Sequence, residues 1–353
     1  MAVTLKDVAR EAGVAISTAS RALSGAADPI TSTGTRERVR EVARRLKYRY
    51  NLHARCLRTG RSETVGILAC DLGQRIGLAK LLAVEAAVRE KGYRTLLRYR
   101  HQAGLKGRQL GFAQEFASSE VEGAIVINVD AEHSGPLGAL IQRGIPVVSL
   151  EPLEGVPADV VTVDRMAGAY LLTKHLLDLG HRRIGLLCSS LTTPGLAERH
   201  WGYQQALAEC GCSFDEAVFA RLPSNVALGT CVRGYEAARE LLARRPLPTA
   251  VFCSNDEVAF GAMKALAEAG LRVPEDMAVV GFDDIEMAAF APVPLTTVRQ
   301  PVGEQATQAV ALLFERIANP DDERPPRAIR LKPRLVVRAS SGGPVVVSDG
   351  RED

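Results

Sequence analysis

From Thr64 onward, short apolar runs alternate with longer amphipathic stretches, and this alternation constrains the fold more than any other feature. VGILAC (65–70), YRTLLRY (93–99), EGAIVI (122–127), IPVVSL (145–150), VVTVD (160–164), RIGLLC (183–188), TAVFCS (249–254) and MAVVGF (277–282) read as strands. Helical patterns cover 77–91, 166–179, 197–210, 229–243 and 256–269. Apolar strands that do not alternate with polar residues, separated by helices, belong to parallel sheets covered on both faces. The units are too many for one such sheet. Two open α/β lobes are expected, with a cleft where their strand C-termini face each other.

The N-terminal residues follow a different period. In TLKDVAREAGVAISTASRALS (4–24), Leu5, Val8, Ala9 and Ala12 form one helical stripe. Thr4 stands as N-cap and Asp7 in the first turn, where the macrodipole favours an anion. Gly13 supplies a sharp turn. The second helix buries Ala19, Ala22 and Leu23, and Ile16, Ser17, Ser20 and Arg21 lie on another face. A helix-turn-helix has this layout, with its second helix entering the DNA major groove. An ordinary helical hairpin has the same stripes. A third helix, about 35–47, adds Val39, Val42, Ala43 and Leu46, with five arginines between 36 and 45 on or beside its polar side. Residues 50–62 join this head to the rest. Leu57 is expected either to wedge into the minor groove from a helix formed on DNA, or to pack on the body.

Charge separates the two readings of the head. Residues 1–62 carry 13 Lys and Arg against five acids, whereas the remainder carries 31 against 36. A basic head on an acidic body points to a polyanion partner. With 46% hydrophobic and 24% charged residues the composition is globular, and no run approaches the ~18 apolar residues of a membrane span. Lys6, Asp7, Arg10 and Glu11 interrupt any export signal, so a cytoplasmic protein is expected. The seven cysteines are scattered without CxxC spacing, which implies reduced thiols and no metal site.

The candidate ligand groups stand at strand ends: Asp71, Glu151, Asp164-Arg165, Asn255-Asp256 and Asp283-Asp284, with Arg199 at a helix start beside Trp201. Carboxylates, an amide and an arginine around a cleft suit a sugar or a similar polar small molecule. Each also has a plain structural role available, such as a helix cap for Asn255 or a turn for Asp283-Asp284. GxSxG, GxxxxGK[ST], HExxH and GxGxxG are absent, so neither an enzyme nor a cofactor is expected.

The motifs VTLKDVAREAGV, TRERV (35–39), ARCLRTGRS (54–62), VDRMAGAYLLTKHLLDLGHRRIG (163–185), RHWGY (199–203), SNDEVAFGAM (254–263), VPEDMAVVGFDD (273–284) and PLTTVRQP (294–301) occur in one order. In these the chain, from about residue 3 to 338, resembles the LacI/GalR family of bacterial transcriptional regulators. The resemblance implies a small all-α helix-turn-helix head (1–49), a hinge helix (50–63) and an α/β core (64–340) of two Rossmann-like lobes resembling a periplasmic binding protein. It divides that core into an N-lobe of about 64–163 and 297–325 and a C-lobe of about 164–296 and 326–340. A homodimer on a pseudo-palindromic double-stranded DNA operator is implied, controlled by a small-molecule effector between the lobes. By position, Ile16, Ser17 and Arg21 match base-reading residues, and Thr4, Ser20 and Asn51 match phosphate contacts. Leu57 and Ala54 match the minor-groove hinge. Arg199, Asn255, Asp283 and Glu151 match effector positions.

Four departures from the family pattern stand out. Ala15 replaces a capping Ser, Tyr50 replaces a Pro before the hinge, and the loop before Thr35 is longer by about one residue. Gly73-Gln74-Arg75-Ile76-Gly77 replaces an aromatic loop lining the cleft, which disfavours purine stacking and places Gln74 and Arg75 among the effector candidates, Arg75 toward an anionic one. The tail 341–353 has no Leu heptads, so a dimer with a disordered tail is expected. The rival readings are a solute-binding protein, which needs an export signal and no basic head, and a sugar-active α/β enzyme, which needs a base beside a nucleophile. The choice of repressor over activator belongs to the promoter.

Overall fold

Three helices, α1 (Leu5–Glu11), α2 (Ile16–Leu23) and α3 (Thr33–Arg45), enclose one small core in the head. The core consists of Val8, Ala9, Ala12, Ala19, Ala22, Val39, Val42 and Ala43, with Leu5, Leu23 and Leu46 packed against it. These are the residues that the three stripes select. In this computed structural model residues 3–23, 31–48, 61–70, 72–100, 116, 121–128, 131–191, 194–224, 229–322 and 324–342 are described. The chain divides into two units, Met1–Thr64 with Gly92–Arg94, and Val65–Lys91 with Thr95–Asp353. The hinge residues Asn51, Ala54 and Leu57, the cleft candidate Asp71 and the tail from 343 lie outside the described residues.

The core begins with β1 (Thr64–Cys70), α4 (Arg75–Glu90), β2 (Arg94–Arg100), β3 (Gly123–Ile127), α5 (Ala131–Gln142), β4 (Val147–Ser149) and β5 (Asp159–Val163). It continues with α6 (Arg165–Asp178), β6 (Ile184–Cys188), α7 (Pro194–Glu209), β7 (Phe219–Arg221), α8 (Thr230–Leu242), β8 (Ala250–Cys253), α9 (Asp256–Glu268), β9 (Ala278–Val280) and α10 (Met287–Phe290). Last come β10 (Thr297–Arg299), α11 (Val302–Ala318), β11 (Ala328–Leu331) and β12 (Arg334–Val336). The first lobe is a six-stranded sheet of order β11-β5-β4-β3-β1-β2, and the second a four-stranded parallel sheet of order β7-β6-β8-β9. A two-stranded antiparallel ribbon joins β10 to β12.

Both faces of the second sheet are covered, as its unalternating strands require. Along β8, Ala250 and Phe252 face one apolar cluster while Val251 and Cys253 face the other. Cys70, Cys188 and Cys253 end their strands buried, as free thiols. The flanking helices approach closely through glycine. A Cβ on Gly202 of α7 would lie 2.0 Å from the Met166 carbonyl oxygen in α6, and one on Gly261 of α9 would lie 2.0 Å from the Cys231 carbonyl oxygen in α8.

Two expected boundaries change. β11 pairs in parallel with β5, from Ala328 beside Val160 to Leu331 beside Val163, so 328–331 belongs to the first lobe and not the second. Ser341 is 2% exposed, with its hydroxyl 2.8 Å from that of Thr296 and 2.9 Å from His175 Nε2, so the chain stays anchored one residue into the expected tail. The helix α11 and the strands β7, β10 and β12 have no counterpart among the expected elements.

Candidate functional site

The head presents α2. Thr4 caps α1 in a reciprocal box: its hydroxyl accepts from the Asp7 N–H at 3.4 Å, and its own N–H donates to Asp7 Oδ2 at 3.0 Å. The Thr4 hydroxyl also donates to Asp7 Oδ2 at 2.7 Å, and this bond together with that of the Thr4 N–H holds the Asp7 carboxyl below its ordinary range. Gly13 turns the chain at φ +64°. Ala19 N–H then donates to the Ala15 carbonyl at 3.0 Å, which makes Ala15 an N-cap without a side-chain oxygen. Arg38 Nε donates to the Ala12 carbonyl at 3.1 Å, and Arg45 pairs with Glu11, so two of the basic residues fasten α3 to α1.

Ile16, 49% exposed, Ser17 and Arg21 all face outward from α2. Ser20, expected at a phosphate, is 4% exposed beside the buried Ala19.

In the core, the strand ends converge on an ionic cluster. Glu151, after β4, accepts from Lys80 Nζ at 2.7 Å and from the Arg165 guanidinium. Arg165 begins α6, where the chain crosses into the second lobe, and it also reaches Thr162 Oγ1 at 3.2 Å and Glu198 of α7 at 3.5 Å. Burial works against ionisation of Glu151, yet the Arg165 and Lys80 charges outweigh it and bring the carboxyl down to about 2. Burial pushes the Lys80 ammonium below its usual range.

Arg199 lies in the second turn of α7 rather than at its start. It donates to the Ser254 carbonyl at 2.7 Å, approaches Asp283 Oδ1 at 3.3 Å and lies 4.1 Å above the Phe282 ring. Gln300 donates to the same Asp283 oxygen at 2.6 Å. Asp283 and Asp284 follow β9 with φ of 121° and 55°, a left-handed conformation that costs non-glycine residues energy. Their ion pairs with Arg199 and with Arg299 and Arg338 offset that cost. Burial raises the Asp283 carboxyl despite Arg199, and burial together with the Asp283 charge pushes Asp256 well above its ordinary value. Asp256 is held by the Thr297 hydroxyl and, at 2.9 Å, by the Ile285 N–H.

Asn255 does cap α9, its Oδ1 accepting from the Val258 N–H at 2.9 Å. Its amide nitrogen has no partner among the described residues, so the cap leaves a donor for another task. The Arg75 N–H donates to Glu257 Oε2 of the second lobe at 3.2 Å, while its side chain is exposed. Gln74 is the N-cap residue of α4 without a side-chain cap bond. Glu151, Asn255 and Asp283 therefore stand after strand ends, and Arg199 reaches them from the second turn of α7 through the Ser254 carbonyl and Asp283. A separate concavity of about 960 Å³, lined by Phe260, Met263, Met287 and Phe290 among others, holds none of these residues and is apolar.

The expected site omitted Lys80, Glu198 and Gln300. Glu198 lies within α7, away from any strand end, and Gln300 follows β10, whose three residues give no strand pattern of their own. Lys80 does carry one: it is spaced four residues from both Ile76 and Val84 on the buried stripe of α4.

A helix-turn-helix head with an outward-facing second helix, joined to a two-lobed core of the periplasmic-binding type, defines a ligand-responsive DNA-binding regulator. Comparison with known proteins agrees. Residues 4–51 match the bacterial regulatory proteins of the lacI family, and 173–341 match a periplasmic binding protein-like domain. The HTH-type transcriptional repressor PurR of Vibrio atlanticus is 32% identical over 340 residues, covering 96% of this chain and 98% of that one. Among solved structures, a lac repressor dimer bound to operator and the anti-inducer ONPF matches with a TM-score of 0.80 at 25% identity, over 97% of this chain and 99% of that one. A complex of the transcriptional regulator CelR with cellobiose matches with a TM-score of 0.70 at 30% identity, over 96% and 99%. The chain belongs to the LacI family of bacterial transcriptional regulators.

Proposed function

We propose that the protein is a cytoplasmic repressor, without catalytic activity, that binds a pseudo-palindromic operator as a homodimer and answers to a neutral polyhydroxylated effector held between its core lobes. Ile16, Ser17 and Arg21 read bases. Arg21 suits guanine O6 and N7, and Ile16 offers apolar contact to a thymine methyl. Glu151, Arg199, Asn255 and Asp283 hold the effector. The similar lac repressor dimer bound to operator and the CelR complex with cellobiose support this reading.

The observation that carries the effector class is the balance of the cleft. Lys80, Arg165 and Arg199 face Glu151, Glu198 and Asp283, so the buried charges cancel. Among the described residues of the cleft, buried atoms without a hydrogen-bond partner are of both kinds: Arg199 Nε is a donor, and Gln300 Oε1 and Glu198 Oε2, the latter in ion-pair range of Arg165 at 3.5 Å, are acceptors. Hydroxyl groups donate and accept at once, and so fit this mixture better than an anion would.

The test has two arms. Thermal shifts of the full-length protein against neutral sugars, sugar acids and sugar phosphates read the effector, because a cleft ligand stabilises the folded state by mass action. An operator selected from random sequence reads the head: Arg21→Ala is expected to weaken it by roughly tenfold or more while sparing random DNA. Equal losses on both DNAs would remove Arg21 from base reading.

A further inference from the structure

We infer that Lys80 is itself an effector-binding residue, which uses Glu151 as its anchor and presents its remaining N–H donors to a hydroxyl of the ligand. This rests on the reading of the cleft as a polyhydroxylated-effector site.

The argument starts from how little Lys80 does for the fold. Its side chain is 3% exposed and stands on the stripe of α4 that also buries Ile76, Val84 and Val88. An apolar residue of similar length would fill that position without cost. An ammonium carries three donors, and a buried one needs them met. Among the described residues Lys80 has one acceptor, Glu151 Oε1 at 2.7 Å. Glu151 in turn does not depend on Lys80, since Arg165 holds its other oxygen.

Nor does Lys80 tie the lobes together. Lys80 on α4, which follows β1, and Glu151, two residues after β4, both belong to the first lobe, and it is Arg165 that carries the ionic chain across to Glu198. The charges of Lys80 and of Asp283 on the second lobe act on each other, so Lys80 lies near the space that Asp283 and Arg199 border. A buried cation with spare donors, anchored through Glu151 on one wall of that space, has the makings of a ligand group.

The test uses full-length wild type and Lys80→Met. Thermal unfolding is measured without sugar, and isothermal titration is measured with ribose, cellobiose, glucose, gluconate and glucose 6-phosphate. Without sugar, the variant is expected to melt close to the wild-type temperature, because Arg165 still pairs with Glu151 and leaves no buried carboxylate alone. The neutral sugar that binds the wild type is expected to bind the variant about tenfold or more weakly, the effect of losing a charged hydrogen bond. A variant that melts several degrees lower makes Lys80 a structural residue and overturns the inference. So does equal sugar affinity in both proteins, which leaves the cleft reading intact. Gluconate or glucose 6-phosphate binding in place of neutral sugars, or no binding to the wild type at all, overturns the polyhydroxylated-effector reading and this inference with it.

Discussion

Replacing Glu151 with Gln keeps the shape of the side chain and removes the charge that Arg165 and Lys80 share. The carboxyl falls from the usual 4.5 to about 2 in the folded chain. At about 1.4 kcal/mol per pKa unit, that shift favours folding with ionised Glu151 by about 3 kcal/mol. The figure lies at the lower end of the ~3–5 kcal/mol lost when one partner of a buried ion pair is removed. A group with a depressed pKa stabilises fully above its unfolded value and loses that stabilisation as the pH falls through its folded value. The penalty of Glu151→Gln is thus expected to be flat from pH 7 to about 4.5 and to shrink toward pH 2. Urea unfolding of wild type and variant, followed by circular dichroism at several pH values, measures it. A penalty under about 1 kcal/mol at pH 7, or one that already fades between pH 7 and 5, would refute the assignment of Glu151 as the shared anion of this cluster.

Two further changes test the scaffold. Ala15→Ser restores an oxygen to the N-cap of α2 and is expected to stabilise that helix by about 1 kcal/mol, seen as roughly fivefold greater hydrogen-exchange protection of its amides in the intact chain; unchanged protection means that the cap is already satisfied. Gly202→Ala forces a methyl to within 2.0 Å of the Met166 carbonyl oxygen, so α6 and α7 must separate. It is expected to cost about 3 kcal/mol or more by urea unfolding and to weaken the sugar-induced thermal shift, since Arg199 lies one turn away on α7; wild-type stability would show that the helices slide apart freely.

Periodicity made the head core legible, because each of its helices is amphipathic over its whole length. It also made the buried strands legible: β1, β6 and β8 are long enough to show an unbroken apolar run. The strands β7, β10 and β12 have three residues each, too few for a pattern. The lobe to which β11 belongs depends on its pairing with β5, far back in the sequence, and nothing local encodes that. Among the site residues, Asp283, Asn255 and Glu151 were legible because strand ends in open α/β sheets point at ligands. Lys80 was written into the α4 stripe as a single charged interruption.

The chain crosses between the lobes near 164, 300 and 332, and the return to the first lobe near 300 has a consequence for synthesis. α11 packs on β3, β4 and β5, where Gln305 donates to the Leu150 and Val161 carbonyls at 2.9 and 2.7 Å. β11 then completes the edge beside β5. Most of the first lobe emerges early from the ribosome, yet its covering helix and its edge strand are made last. That lobe must wait, with one face of its sheet bare, until nearly the whole message is read. A chain that stops short of residue 300 loses the closure of the part that was translated first.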